Sequence, residues 1–211
     1  MNHATALLLI VAAVCAVGNW ISRLIESRVL EYLTKPVVTA LLMWAAITID
    51  PRSSSARPWF VAGLALSLAG DVLLMLPKEQ FVGGLGSFLL AHVAYIAGFI
   101  VGDVHVGSMI VTLIVVALVM VPVAATVLTA VRQKAPELQL PVAVYMLVIG
   151  VMIVCAGGSQ VVVAVVGAAV FAFSDSLIAW TKFVRPMEWA GVAIMVTYHL
   201  GQVGILFSLT K

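Results

Sequence analysis

Residues 109–131 read MIVTLIVVALVMVPVAATVLTAV, twenty-three positions without one charged side chain. About 20 apolar residues in a helix cross the hydrocarbon core of a bilayer. Working outward, the sequence holds seven more such runs, near 4–22, 33–49, 58–76, 84–101, 141–156, 161–180 and 189–209. Eight spans of roughly 20 residues take up about 160 of the 211 positions and leave only short connections. The expected fold is therefore all-α, a polytopic membrane helical bundle of eight transmembrane helices. Residues 1–211 are expected to form a single membrane-embedded domain.

Composition agrees. The chain is 64% apolar and 9% charged, against about 25% charged in a soluble domain. Its net charge is +2, with no basic cluster, so nucleic acid is not an expected partner. Cys15 and Cys155 each lie inside an apolar run, as packing thiols do, which excludes a disulfide scaffold. The first run lacks a basic leader and a cleavage site followed by soluble chain, so it is expected to stay as a span. Trp20, Trp44, Trp59, Trp180 and Trp189 fall near span ends, where interfacial aromatics collect.

Counting Lys and Arg on alternate sides predicts the orientation. Arg23, Arg28, Lys35, Lys78, Arg132, Lys134, Lys182 and Arg185 share one side, and Arg52, Arg57 and Lys211 the other. The richer side should be cytoplasmic, placing the N and C termini on the non-cytoplasmic side.

Most acids, Glu79 and Asp103 among them, fall in loops. Asp71 and Asp175 do not: they sit in LSLAGDVLLML and VFAFSDSLIAW, apolar on both flanks. A carboxylate at the centre of a lipid-facing helix costs about 2.5–3.5 kcal/mol on insertion scales, so each must face the bundle interior. Each lies five residues before its expected span end, about 7.5 Å from the cytoplasmic side. Two acids at one depth are read as parts of one site.

Further polar side chains gather toward that side: Asn19, Lys35, Ser87, His92, Tyr95, Tyr198, His199 and Gln202. Together they suggest a polar cavity open to the cytoplasmic leaflet. The two halves echo each other, since Gly63 precedes Asp71 and Gly167 precedes Asp175 by eight residues each. Gly157 and Gly158 read as a tight turn, and Gly201 and Gly204 as a close helix contact.

Phosphate loops, dinucleotide fingerprints, serine-hydrolase elbows and zinc-protease motifs are absent. The residues leave three classes open. A hydrolase would use the paired acids. A proton-coupled transporter would use the same acids and histidines as relays. A metal-dependent lipid hydrolase would use His92, His199 and the acids, although no metal or cofactor is expected. Against all three stands the plain reading of interhelical glue in a structural subunit.

The blocks LSLAGDVLLMLP, GLGSFLLAHVAYIAGF, GAAVFAFSDSLIAW and YHLGQVGIL, with LTKP before the second span, resemble the YhhN/lysoplasmalogenase family of integral membrane proteins. The resemblance covers essentially the whole chain. It implies an intramembrane hydrolase that cleaves the vinyl-ether bond of lysoplasmalogens to a fatty aldehyde and a glycerophospho-headgroup. It carries the family's two intramembrane aspartates onto Asp71 and Asp175. Its remaining positions fall on Lys35, His92, Tyr95, Ser174, Tyr198 and Gln202.

Vinyl ethers hydrolyse by protonation at carbon, so the chemistry needs a carboxylic acid beside a negative or basic group. Two acids in a low-dielectric cavity suit it. The expectation makes Asp175 the proton donor and Asp71 the cation stabiliser and water base. A lysophospholipid substrate would lay its chain among the apolar walls, with its headgroup at the cytoplasmic mouth near Lys35. Very short loops suit a bacterial inner membrane, with a eukaryotic endomembrane as the alternative.

Overall fold

The computed structural model describes residues 3–76, 80–102 and 104–210. Lys78, Glu79, Asp103 and Lys211, used above, lie outside them. Among the described residues eight helices are long and apolar enough to cross a membrane. They are α1 (His3–Leu24), α2 (Arg28–Thr48), α3 (Arg57–Met75), α4 (Phe81–Val101), α5 (Val106–Lys134), α6 (Gln139–Gly158), α7 (Val162–Ala179) and α8 (Ala190–Phe207). No strand occurs among the described residues, only an isolated bridge from Pro51 to Thr210.

The connections show why the helices stop where they do. Glu26, after α1, has φ 54°, and Gln160, after α6, has φ 57°. These left-handed residues turn the chain back within two or three positions. Ser27 caps α2, its side chain accepting from the Leu30 N–H at 3.4 Å. Pro136 follows the end of α5 and opens a short 3-10 turn, Pro136–Leu138. After α7 the chain runs through a π-helical turn, Trp180–Val184, and then Arg185 becomes extended ahead of Pro186, as a residue before proline prefers.

One boundary differs from expectation by more than a helical turn. Lys35-Pro36 does not open α2, which starts at Arg28 and holds Pro36 within it. The Ser27 cap and the first two turns therefore carry Lys35 into the bundle wall. The longest helix is α5, at 29 residues, again with a proline, Pro122, inside it.

Glycines set the closest approaches. A Cβ at Gly70 would stand 2.7 Å from the Phe88 ring, and one at Gly63 would drive into the Tyr95 ring, so α3 and α4 lie ring-against-backbone. Gly167 and Gly204 let α7 and α8 meet backbone to backbone, and Gly201 admits the Phe171 backbone. Gly157 and Gly158 belong to the last turn of α6, not to a tight turn, and are clamped against Thr112 and Met109 of α5.

The core is divided. A large cluster runs through α1–α4 and α6–α8, with Tyr95, Phe171 and Tyr198 inside it. A smaller cluster of Val127, Val131, Val142, Met146 and Phe183 joins α5 and α6 to the π turn. Outward faces are broadly apolar, as Leu118, Leu147 and Val162 show, which is what lipid-facing surfaces require.

Candidate active site

Asp71 lies four residues before the end of α3, and neighbouring helices enclose it. Its Oδ2 accepts from Thr39 Oγ1 of α2 at 2.7 Å and from the Tyr198 hydroxyl of α8 at 2.7 Å. Its Oδ1 faces Lys35 Nζ of α2 at 3.5 Å. Asp71 is 1% exposed and Lys35 7%. Three donors on one carboxyl form a surrounding that suits an anion.

A one-way chain leads into this group. The Tyr95 hydroxyl donates to Gln202 Oε1 at 2.7 Å. Gln202 Nε2 donates to the Tyr198 oxygen at 3.3 Å, and Tyr198 donates to Asp71. Three helices, α3, α4 and α8, are stitched together by this one series of hydrogen bonds.

Asp175 is housed differently. It too lies four residues before the end of its helix, α7. Its Oδ2 accepts from the Tyr145 hydroxyl of α6 at 2.5 Å. His92 Nε2 of α4 lies 3.7 Å away, just beyond hydrogen-bond reach. Asp175 is the carboxyl that meets open space, in a pocket walled by Phe88, Tyr145, Met146, Ile149, Ser176 and Phe183. The pocket's free volume is about 50 Å³, room for a few waters at roughly 10–15 Å³ each on this measure.

Between the acids stands an aromatic cluster. Phe171 has its ring centroid 4.9 Å from His92 and 5.3 Å from Tyr198, and Phe88 stands 5.8 Å from Tyr198. His92 in turn meets the Tyr145 ring edge-on at 5.3 Å. The expected single polar cavity is thus replaced by a sealed polar network at Asp71 and a mainly apolar pocket at Asp175. The reason is that buried polar groups must find partners in lipid: Thr39, Tyr198 and Gln202 all direct hydrogen bonds into the network at Asp71.

The remaining sequence-selected residues divide. Lys35, Tyr95, Tyr198 and Gln202 join Asp71, and His92 joins Asp175. Ser87 Oγ donates to the Leu66 carbonyl at 2.7 Å and Ser174 Oγ to the Ile194 carbonyl at 2.9 Å, so both tie helix to helix. Asn19 donates to Thr34 Oγ1 at 3.3 Å and meets neither acid. His199 Nδ1 accepts from Trp20 Nε1 at 3.0 Å, which leaves the proton of a neutral ring on Nε2. Trp20, half-buried near the end of α1, is therefore also a hydrogen-bonding partner of α8, whereas Trp44 and Trp189 stay exposed.

Sequence reasoning missed Tyr145 and Thr39. Each was visible only as one more hydroxyl inside an apolar run. His92 and His199 fall in separate surroundings, and among the described residues no three His, Cys, Asp or Glu side chains converge as a metal would need.

The chain matches the YhhN family over residues 30–209. It is 33% identical to human lysoplasmalogenase TMEM86B over 151 residues, covering 70% of this chain and 62% of the human protein. Against the mouse lysoplasmalogenase TMEM86B it is 29% identical over 197 residues, covering 92% of this chain and 77% of that one. A lysoplasmalogenase of Mycobacterium tuberculosis is 31% identical over 169 residues, 78% of this chain and 64% of its own length. The match thus spans less than two thirds of the human and mycobacterial relatives. No solved structure matches the chain. With eight membrane-crossing helices and a family match over most of its length, this multi-pass membrane protein belongs to the YhhN family.

Proposed function

We propose that the chain is an intramembrane lysoplasmalogenase, cleaving the vinyl-ether bond of a lysoplasmalogen. The observation that carries this reading is Asp175, a carboxyl at the wall of an apolar pocket with a phenol on the same oxygen. The kinship with proteins named lysoplasmalogenase supports the substrate class.

Asp175 enters the reaction as the acid and gives its proton to the alkenyl carbon one removed from the ether-bearing carbon. The double-bond electrons form that C–H bond, leaving a cation shared between the ether-bearing carbon and the oxygen. Water adds to that carbon and returns a proton to Asp175, whose carboxylate is now the base. The hemiacetal then loses its bond to the glycerol oxygen, which takes up the hydroxyl proton. Fatty aldehyde and glycerophospho-headgroup are the products. The acid-then-base use of one carboxyl parallels retaining glycosidases in chemistry only.

Asp71, closed off by Lys35, Thr39 and Tyr198, is better suited to electrostatic and positioning work than to activating water itself. It also orients Tyr198, whose ring packs on Phe171 in the aromatic cluster between the two acids. Tyr145 holds the Asp175 carboxyl in one orientation and takes part in proton return.

The pocket is read as opening to the cytoplasm. It lies at the end of the bundle where Lys134 Nζ reaches the Val184 carbonyl at 3.2 Å and Lys182 sits 4.3 Å over the Phe81 ring. These cations belong to the richer side of the charge count.

Purified protein in detergent, given lysoplasmalogen and its ester analogue, tests the reading by aldehyde and fatty-acid release. Aldehyde from the vinyl ether alone, unchanged by EDTA, is expected. No product from either lipid, with solute flux driven by a pH gradient in liposomes, would replace the enzyme with a transporter.

A further inference from the structure

The Asp175 pocket has space for water but not for a hydrocarbon chain. A substrate with one long chain therefore needs a second, apolar volume beside it. We infer that the groove between α5 and α6 seats the substrate's aliphatic chain, with Met146 as the partition between groove and pocket. The inference rests on the lysoplasmalogenase reading above.

The groove is bounded at both ends. At one end Gly157 and Gly158 bring α6 hard against α5, where a Cβ would stand 2.7 Å from Thr112 Cβ and 2.8 Å from Met109 Cγ. At the other, Val127 and Val131 of α5 pack into the small cluster with Val142 and Phe183. Between these contacts the two helices stand apart, leaving about 370 Å³ lined by Val116, Met120, Ala124, Met146, Gly150 and others of the same kind. Pro122, which deprives α5 of one helical hydrogen bond, falls in this stretch. Gly150 faces the groove without a clamp, the nearest atom to a Cβ there being Val116 Cγ1 at 3.8 Å.

Continuity with the pocket decides the occupant. Met146 lines both spaces. Its unbranched thioether is the side chain best able to swing aside without leaving a rigid gap. Along α6 the lining runs from Ala143 to Cys155, about 18 Å at 1.5 Å per residue. That is a little over half of a hydrocarbon core about 30 Å thick, the scale of a chain from one leaflet. A chain lying there with its first carbons past Met146 would place its double bond at Asp175.

The chain arrives from an apolar phase, so the groove selects by room and not by affinity. Gly150→Leu should fill it at the middle, and Val144→Leu, on an exposed face of the same helix, is the control. With octenyl and hexadecenyl lysoplasmalogens, Gly150→Leu should lower kcat/KM for the long chain roughly tenfold relative to the short one. Val144→Leu should leave that ratio unchanged. An unchanged ratio in Gly150→Leu, or an equal fall for both substrates, would overturn the inference.

Binding is read separately from turnover. A lysolipid carrying a photoreactive group near the end of a hexadecyl chain should label Met120 or groove residues around it. Labelling should be lost in Gly150→Leu and competed by unlabelled lysolipid. Labelling that resists competition would mean bulk bilayer lipid fills the groove, and the inference would fail. If wild-type protein releases no aldehyde from either chain length while labelling is competed, the enzymatic reading falls and the chain site stands.

Discussion

Asp71 and Asp175 occupy equivalent places on their helices, four residues from the end, with a glycine eight residues upstream of each. Their surroundings are opposite. Around Asp71 the side chains in contact, Lys35, Thr39 and Tyr198, are polar, and the group is closed. Around Asp175 one phenol holds one oxygen, and the remaining wall, Ser176 apart, is apolar and borders free space. Position along a helix decides that an acid must face inward. The helices opposite decide whether it becomes a fixed charge or a reactive one.

The largest effect that could break this contrast is on turnover. Asp175→Asn keeps the shape and removes the proton donor, and general acid–base catalysis contributes about 10²–10⁴-fold. Aldehyde release should fall by that factor while thermal unfolding in detergent stays close to wild type. Near-normal turnover would remove Asp175 from the chemistry.

Asp71→Asn should show the reverse emphasis. It strands the buried Lys35 ammonium, and breaking a buried pair by removing one partner costs about 3–5 kcal/mol. The unfolding midpoint should drop sharply, and Lys35→Met in the same chain should recover most of the loss, because the uncompensated charge is gone. Activity should stay low in the double variant if the Asp71 charge serves the reaction. Full activity there would make the cluster a scaffold only.

The bundle was legible because lipid imposes a length and a polarity on every crossing segment, and 109–131 met both without exception. Lys35, Asp71, Tyr198 and Gln202 were legible for the complementary reason that lipid tolerates such groups only when they face inward. Which inward groups meet was not. Ser87 and Ser174 look no different in sequence from Thr39, yet the serines spend their hydroxyls on carbonyls and Thr39 gives its own to Asp71. Any buried hydroxyl must find an acceptor, and a backbone carbonyl is always nearby. Tyr145 stayed hidden because a tyrosine in an apolar run also serves at a lipid interface. The bond from Trp20 stayed hidden as well, its partner His199 lying on a helix at the far end of the chain.

Tyr145→Phe sharpens the contrast at intermediate size. A hydrogen bond to a charged group is worth about 1.5–3 kcal/mol, so kcat should fall roughly ten- to a hundredfold. KM should change little, since the ring that walls the pocket remains. A KM effect with kcat intact would make Tyr145 a part of the binding wall alone.

Tyr95→Phe tests the far end of the sealed network and should have the smallest effect. It leaves Gln202 Oε1 buried without its donor, a loss of about 1–3 kcal/mol in stability. Its influence on turnover must pass through Gln202 and Tyr198 before reaching Asp71, and Tyr198 keeps its own bond to that carboxyl. Unfolding should therefore shift more than activity does. A fall in turnover as deep as that of Asp175→Asn, with stability unchanged, would mean that the relay itself carries the proton. The closed and open acids would then be one site after all.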